Sequence, residues 1–474
     1  MVQFPTQRRT QDRRHGVAAI LGWAICASAS AGAVTPYAPP RGDEFVIYRH
    51  ATLIDGTGAP ARRDMDVLVA GERIRRVLPD SALPDSEAAK ARIVDLKGQY
   101  LIPGLIDSHV HLATPPNRRQ AEAELRRNIY GGVTAVRDMA DDLRAVGDLA
   151  RSSLVGEIAG PDVYFAALMA GPDFFTDPRT VETSVGGVAG QVPWMQAVTD
   201  STDLPLAVAR ARGTYATAIK LYADLTPRLA ARISAEAHRQ HMLVWAHATL
   251  YPAKPSEVVA AGVDAISHAC LLVRESAERA PRWNEPHGHV DLKEFMTGNA
   301  PMLTRLFVSM ARRRVILDAT VWTYAAPSLP PASSTQGGAP PLVPGGCDDV
   351  VGGAITAQAY RAGIEISAGT DNVAPAAEPW PELFHELSAL NGLAHMPPEA
   401  VLRSATLVGA KAAGQEREMG SIEPGKLANM VVLASNPLDS VDNLKSIVMT
   451  VKRGRAFKRT DFVPLEAGDI TDFY

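Results

Sequence analysis

The stretch Leu101–Leu112, Leu-Ile-Pro-Gly-Leu-Ile-Asp-Ser-His-Val-His-Leu, constrains this chain more than any other. An apolar run ends in two histidines separated by a single valine. Side chains of an extended strand alternate between faces, so His109 and His111 share one face. Two neutral imidazoles aimed into one space suit a borderline divalent ion such as zinc. Taken alone, the pair is equally well two unrelated histidines at a strand end, and the rest of the chain has to decide.

The middle of the chain alternates between strand and helix patterns. Strand candidates are Leu101–His109, Thr134–Arg137, Val163–Leu168, Ala216–Leu221, Leu243–His247, Ala265–His268, Val315–Ala319 and Glu365–Ala368. Helix-length segments lie between most of them, among them Arg118–Tyr130, Pro227–His241 and Ser256–Gly262. Eight strands with crossover-length connections require a parallel sheet, and their number predicts a closed (β/α)8 TIM-like barrel. A doubly wound open sheet is the rival, but no Gly-rich phosphate loop follows the first strand.

Both ends of the chain read as β-rich. Phe45–Leu53, Asp66–Val69, Ile74–Leu78 and Ile93–Leu96 are short strands with turns about every ten residues. Ala428–Leu433, Ile447–Val451 and Arg455–Lys458 repeat the pattern near the C-terminus. Such a unit has little core of its own, so the two ends are predicted to form one small β-sandwich domain. This divides the chain into sandwich residues 43–98, a barrel over 99–422, and a second sandwich part with a C-terminal tail over 423–474. Residues 1–33 read as a signal peptide. Arg8, Arg9, Arg13 and Arg14 precede the apolar Val17–Cys26, and small residues allow cleavage after Ala29 or Ala33. Export to the periplasm or the exterior is therefore expected.

Removal of that leader leaves Cys270 and Cys347. One bridge in an oxidising compartment, a buried apolar cysteine, and a thiolate ligand two residues after His268 all stay open. A formal net charge of −4 gives no reason to expect nucleic acid as a partner. No later stretch is long and charge-free enough to span a bilayer. A small-molecule substrate is the expected partner, and association into a homo-oligomer is neither required nor excluded.

The polar residues at the strand ends are the chemistry of the chain. Strand one ends in His109 and His111, strand four carries Lys220, strand five ends at His247, strand six at His268, and Asp371 follows strand eight. In a barrel these ends converge on one mouth. An ammonium beside metal cations would be repelled. A lysine that has taken up carbon dioxide is instead an anion with two oxygens, able to bridge two ions. On this reading His109, His111 and Asp371 hold the more buried divalent ion, His247 and His268 the more exposed one, and carboxylated Lys220 bridges them. Two ions sharing a hydroxide provide a nucleophile at ordinary pH. Asp371 would accept the proton and deliver it to the leaving group, while the exposed ion steadies the developing oxyanion.

The motifs Gly104-Leu-Ile-Asp107-Ser-His109-Val-His111, Ile219-Lys220, His247, His268, Gly369-Thr370-Asp371 and Gly420-Ser-Ile-Glu-Pro-Gly425-Lys-Leu-Ala428 together resemble the amidohydrolase superfamily, from about Phe45 to Lys458. Within it the chain looks most like the imidazolonepropionase-related branch with a carboxylated lysine, similar to Xaa-Pro dipeptidases and N-acyl amino acid hydrolases. The cues are Thr134-Ala-Val-Arg137-Asp138-Met, Ile219-Lys220-Leu-Tyr222 and His385-Glu386-Leu387. The resemblance implies two divalent ions, zinc in the first instance, and a catalytic Tyr222 touching the scissile carbonyl or the substrate carboxylate; the phenol equally suits strand packing. It implies hydrolysis of an amide in a dipeptide or N-acyl amino acid. A lactone, carbamate or organophosphate ester is the alternative for the same site, and a non-catalytic binding barrel a remote one. Mononuclear deaminases of similar fold carry a glutamate shortly after the strand-five histidine, where this chain has Thr249 and Leu250.

Departures from the pattern are Asn429 in place of an aspartate and the absence of Gly-Gly-His after strand three, where Met169-Ala-Gly171-Pro-Asp173 stands. The long connections 169–215 and 320–350 follow strand ends and are expected to cover the catalytic face. Trp322 and Tyr324 are expected to give an aromatic wall or to pack in core or lid. Arg137 is read as a partner of Asp138 or as a charge in the mouth.

Overall fold

The computed structural model describes residues 36–80, 82, 89–325, 347–373 and 378–464. The proposed leader, most of the connection 320–350 and the last residues of the tail lie outside this set. Eight parallel strands form the central sheet, numbered here β1 (Leu105–Val110), β2 (Val133–Asp138), β3 (Asp162–Ala170), β4 (Ala218–Leu221), β5 (Leu243–His247), β6 (Ala265–Ser267), β7 (Ile316–Asp318) and β8 (Ile366–Ser367). Each pairs with its neighbour in order. Backbone hydrogen bonds from Ser108 N to Ala368 O and from Asp371 N to His109 O, both 2.8 Å, tie the last strand to the first. The result is a nearly closed (β/α)8 barrel.

The barrel strands are short and almost wholly buried. Helices pack outside them, including Arg118–Tyr130 and Pro227–Arg239, each capped at its start by a side chain of the preceding loop: Asn117 accepts from Gln120 N and Thr226 from Leu229 N.

A second, mixed sheet joins the two ends of the chain. Its strand order is 455–458, 447–452, 430–433, 100–103, 45–53, 62–70 and 73–79, with 92–95 also pairing along 45–53. Its own core includes Tyr48, Leu53, Val67, Leu101, Met430 and Val451. This is the small sandwich-like domain expected from both termini. Lys452 and Arg453 fasten it to the start of β3: both pair with the buried Asp162, at 3.1 and 3.0 Å. Asn429 works at the same seam. Its side-chain oxygen accepts from Arg453 N at 2.8 Å and its carbonyl from Gly104 N at 2.9 Å.

One element departs from expectation. The run Leu101–His109 is two strands, Tyr100–Pro103 in the small sheet and β1 in the barrel. Pro103 offers no N–H to continue a ladder, and a side chain at Gly104 would strike Thr134 of β2. The chain therefore changes sheets at this dipeptide, and β1 begins where the barrel does.

Candidate metal centre

All the sequence-predicted site residues line one cavity of about 240 Å³ at the C-terminal ends of the strands: His109, His111, Lys220, Tyr222, His247, His268 and Asp371. One donor atom each from His109, His268 and Asp371 lies within 4.8 Å of the others. Asp371 is the hub. Its Oδ1 is 3.5 Å from His109 Nε2 and 3.4 Å from His111 Nε2, and its Oδ2 is 3.7 Å from His268 Nδ1. The His247 and His268 rings meet edge to face at 4.7 Å.

The remaining ring nitrogens are held from behind. His109 Nδ1 donates to Asp318 Oδ2 at 2.7 Å, and His111 Nδ1 to Asp141 Oδ1 at 2.7 Å. Each bond fixes the tautomer and turns a lone pair on Nε2 toward the cavity, as ligating histidines require. Asp318 and Asp141 escaped the sequence reading. The one signal was an acid inside or directly after an apolar strand.

Burial sets the charge states. His268 is pushed down to about 3 by burial, with His109 and Lys220 adding to the effect. Burial also drives His247 well below its ordinary range. Neutral imidazoles are the form that binds a metal. Burial brings the Lys220 ammonium down to about 7. Burial alone would raise Asp371, but the surrounding histidines outweigh it and hold the carboxyl well below the usual range.

The donor set fits divalent ions on a further observation. Lys220 Nζ and His247 Nδ1 are buried and have no hydrogen-bond partner among the described residues. Orphaned buried polar atoms are costly and call for an explanation. Two such atoms in the same cavity as four other donors fit a site that could hold a metal ion. The backbone adds to this. His268, Thr320 and Asp371 have φ of 78°, 47° and 46°, the left-handed region that non-glycine residues avoid. All three stand just past barrel strands. Gly369 permits the crowding, since a side chain there would strike both Asp318 and His109.

One expectation, that for Arg137, is corrected, and two that stood open, for Trp322 and Cys270, are resolved. Arg137 neither pairs with Asp138 nor faces the mouth. It is fully buried among barrel side chains, with Nη2 3.0 Å from Asp318 Oδ2, Nε donating to Ser108 O at 2.6 Å, and its guanidinium 4.6 Å from the Trp245 ring. Trp322 is not among the residues lining the cavity. Its indole donates to Glu382 Oε2 at 2.6 Å and stacks on His385, leaving Tyr324 and Thr323 to face the cavity. Cys270 is no thiolate ligand, because it forms a disulfide with Cys347. The Tyr222 ring lies between His247, tilted at 3.9 Å, and Phe174, stacked at 4.4 Å.

With this geometry in view, a model of the amidohydrolase family matches residues 353–457, which span β8, Asp371 and the return into the small domain. Over that stretch the chain is similar to the amidohydrolase family. Most curated relatives of this chain are matched over only 17–21% of their own length. Among them, an N-acyl-D-aspartate deacylase of Alcaligenes xylosoxydans xylosoxydans is 39% identical over 100 residues, 21% of this chain and 18% of the relative. A 5-methylthioadenosine/S-adenosylhomocysteine deaminase of Teredinibacter turnerae is 25% identical over 80% of this chain and 81% of its own. Among solved structures, a Xaa-Pro dipeptidase with bound methionine in its active site superposes with a TM-score of 0.65 and 20% identity. It covers 88% of this chain and all of its own. Among the described residues, no helix is long and apolar enough to cross a membrane.

Proposed function

We propose that this chain is a hydrolase of amidohydrolase type that binds two divalent ions, zinc in the first instance, and cleaves an amide bond of a dipeptide or N-acyl amino acid. The observation that carries the reading is the convergence of His109, His111, Lys220, His247, His268 and Asp371 on one cavity, with Lys220 Nζ buried and without a partner among the described residues. A nitrogen-rich donor set favours zinc. Divalent ions at such a site lower the pKa of water toward neutrality and polarise a carbonyl.

The chain's own groups supply the rest. A buried, unprotonated Lys220 amine is the form that adds carbon dioxide, and the carbamate would give the cavity a bridging anion in place of an orphaned nitrogen. Asp371 reaches three histidines and is 25% exposed to the cavity, so it is placed to take a proton from the attacking water and return it to the departing amine. Tyr222 is flanked by the Phe174 and His247 rings, and its hydroxyl, beside Arg179, would meet the substrate. The partial similarity to an N-acyl-D-aspartate deacylase and the likeness to a Xaa-Pro dipeptidase support an amide. Deamination is disfavoured by Thr249, whose hydroxyl donates to Leu271 O at 3.2 Å and which offers no carboxylate beside His247. We also read the protein as exported to the periplasm or beyond. The Cys270–Cys347 bridge supports this, since such bonds persist in oxidising compartments.

The test is a hydrolysis screen with zinc- or manganese-loaded protein, setting dipeptides and N-acyl amino acids against lactones and phosphotriesters. Preferred turnover of an amide is the expected result. Preference for a lactone or phosphotriester would overturn the amide assignment, and no turnover of any of them would overturn the hydrolase assignment.

A further inference from the structure

The hydrolytic reading leaves one cation of the cavity without a role. Arg179 stands on the short helix Pro178–Glu182 in the connection after β3, and it lines the same cavity as the metal-site residues. Its side chain is half exposed, at 51%. Behind it, the buried Asp177 grips the guanidinium with both oxygens: Nε to Oδ1 at 3.1 Å and Nη2 to Oδ2 at 2.7 Å. Asp177 also accepts from the Arg179 backbone N–H at 3.0 Å. The carboxylate thus fixes the fork without itself lining the cavity.

The surroundings give this cation a direction. The guanidinium lies 5.9 Å from the centre of the Tyr222 ring, on the residue whose ring meets His247 at a tilt, 3.9 Å apart. The sequence of groups is therefore metal-site histidine, phenol, guanidinium. Tyr222 and Asp177 together hold the guanidinium above its ordinary range, so it stays charged. Among the described residues lining the cavity, Asp371 is the sole acid, and it belongs to the metal site. Met139, Leu168, Met195 and Leu271 make much of the remaining wall apolar. A half-exposed guanidinium gripped by Asp177 and bonded to Tyr222 at the edge of an apolar pocket is a preorganised receptor for a carboxylate.

We propose that Arg179 is the anion-binding residue of the substrate pocket, receiving the free carboxylate of the amino acid part of the substrate beside the Tyr222 hydroxyl. The amino acid class rests on the hydrolytic reading above, while the anion site itself does not. The consequence is a specificity: substrates with a free carboxylate are preferred over neutral amides, ureas and esters of similar shape.

Two measurements test it. The first is binding to the metal-loaded protein of L-leucine and of L-leucinol, which differ by the carboxylate and carry no amide to cleave. The wild-type protein is expected to favour leucine by about tenfold or more, as a charge-assisted bidentate pair implies. In Arg179→Met the preference disappears, and Arg179→Lys restores part of it, since charge returns without the fork. Absence of the preference in the wild type, or its survival in Arg179→Met, overturns the proposal; survival would place the carboxylate on the metal ions instead. The second is kcat/KM for an N-acyl amino acid and its carboxamide. Arg179→Met is expected to lose most on the free acid, chiefly through KM, and equal loss on both also overturns the proposal. If the wild type cleaves no amide while leucine binding still depends on Arg179, the hydrolytic reading fails and the anion site stands.

Discussion

Asp318 Oδ2 lies 2.7 Å from His109 Nδ1, and both side chains are buried. The same carboxylate is met by Arg137 at 3.0 Å and by Ser267 Oγ at 2.9 Å. Arg137 is thus a positioning residue, two steps from the cavity. Asp318→Asn keeps the shape but removes the charge that holds the Nδ1–H tautomer. Metal affinity is expected to fall about 10–100-fold, the usual cost of losing such a partner. Titration against a competing chelator reads this, and unchanged affinity would show that Asp318 does not orient His109.

Lys220→Ala removes the bridging group. The variant is expected to lose bound metal and nearly all turnover, and short carboxylic acids are expected to restore part of both by occupying the vacated space. Full activity of the untreated variant would eliminate the carbamate.

Glu386 gives a pH prediction away from the metal ligands. It is buried, accepts from Trp322 N at 2.7 Å, and burial pushes its carboxyl up to about 8 from an ordinary 4.5. A raised folded-state value means that its contribution is complete below about 4.5 and is lost as pH rises through about 8. Glu386→Gln keeps an acceptor for Trp322 N and cannot ionise. Its melting temperature relative to wild type is expected to climb across that window and level off above it. Parallel melting curves at all pH values would contradict the assignment.

The Cys270–Cys347 bridge closes a separation of 77 residues and clasps the segment after His268 to the start of helix Asp349–Arg361. Replacing both cysteines by serine is expected to cost roughly 2–4 kcal/mol of stability, measured by denaturant unfolding. Tyr324 lies beside the bridge, near Gly352, so KM is expected to rise as well. A variant equal to wild type in both respects would remove the bridge from the account.

The barrel was legible because each strand is a short apolar run and five of the six proposed ligands stand at or just past strand ends, where periodicity places them together. The features that were not legible depend on packing between distant segments. The switch of sheets at Pro103-Gly104 is hidden inside one continuous apolar run, and only the approach of Thr134 reveals it. Trp322 and Tyr324 would share a face in a strand, but they lie in a 3₁₀ turn, where residues two apart point well away from each other. Arg179 sits in a connection without periodicity, and its meaning comes from Asp177 behind it and Tyr222 beside it. Asp318 reads as one more strand residue until His109 and Arg137 are seen to converge on it.

The central claim is a two-ion site built from His109, His111, Lys220, His247, His268 and Asp371. It is tested most directly by metal analysis of carefully prepared protein together with amide hydrolysis before and after chelation. The account predicts two tightly bound divalent ions per chain, loss of hydrolysis when they are stripped, and its return with zinc or manganese. Fewer than one bound ion per chain, with no activity restored by either metal, would contradict it.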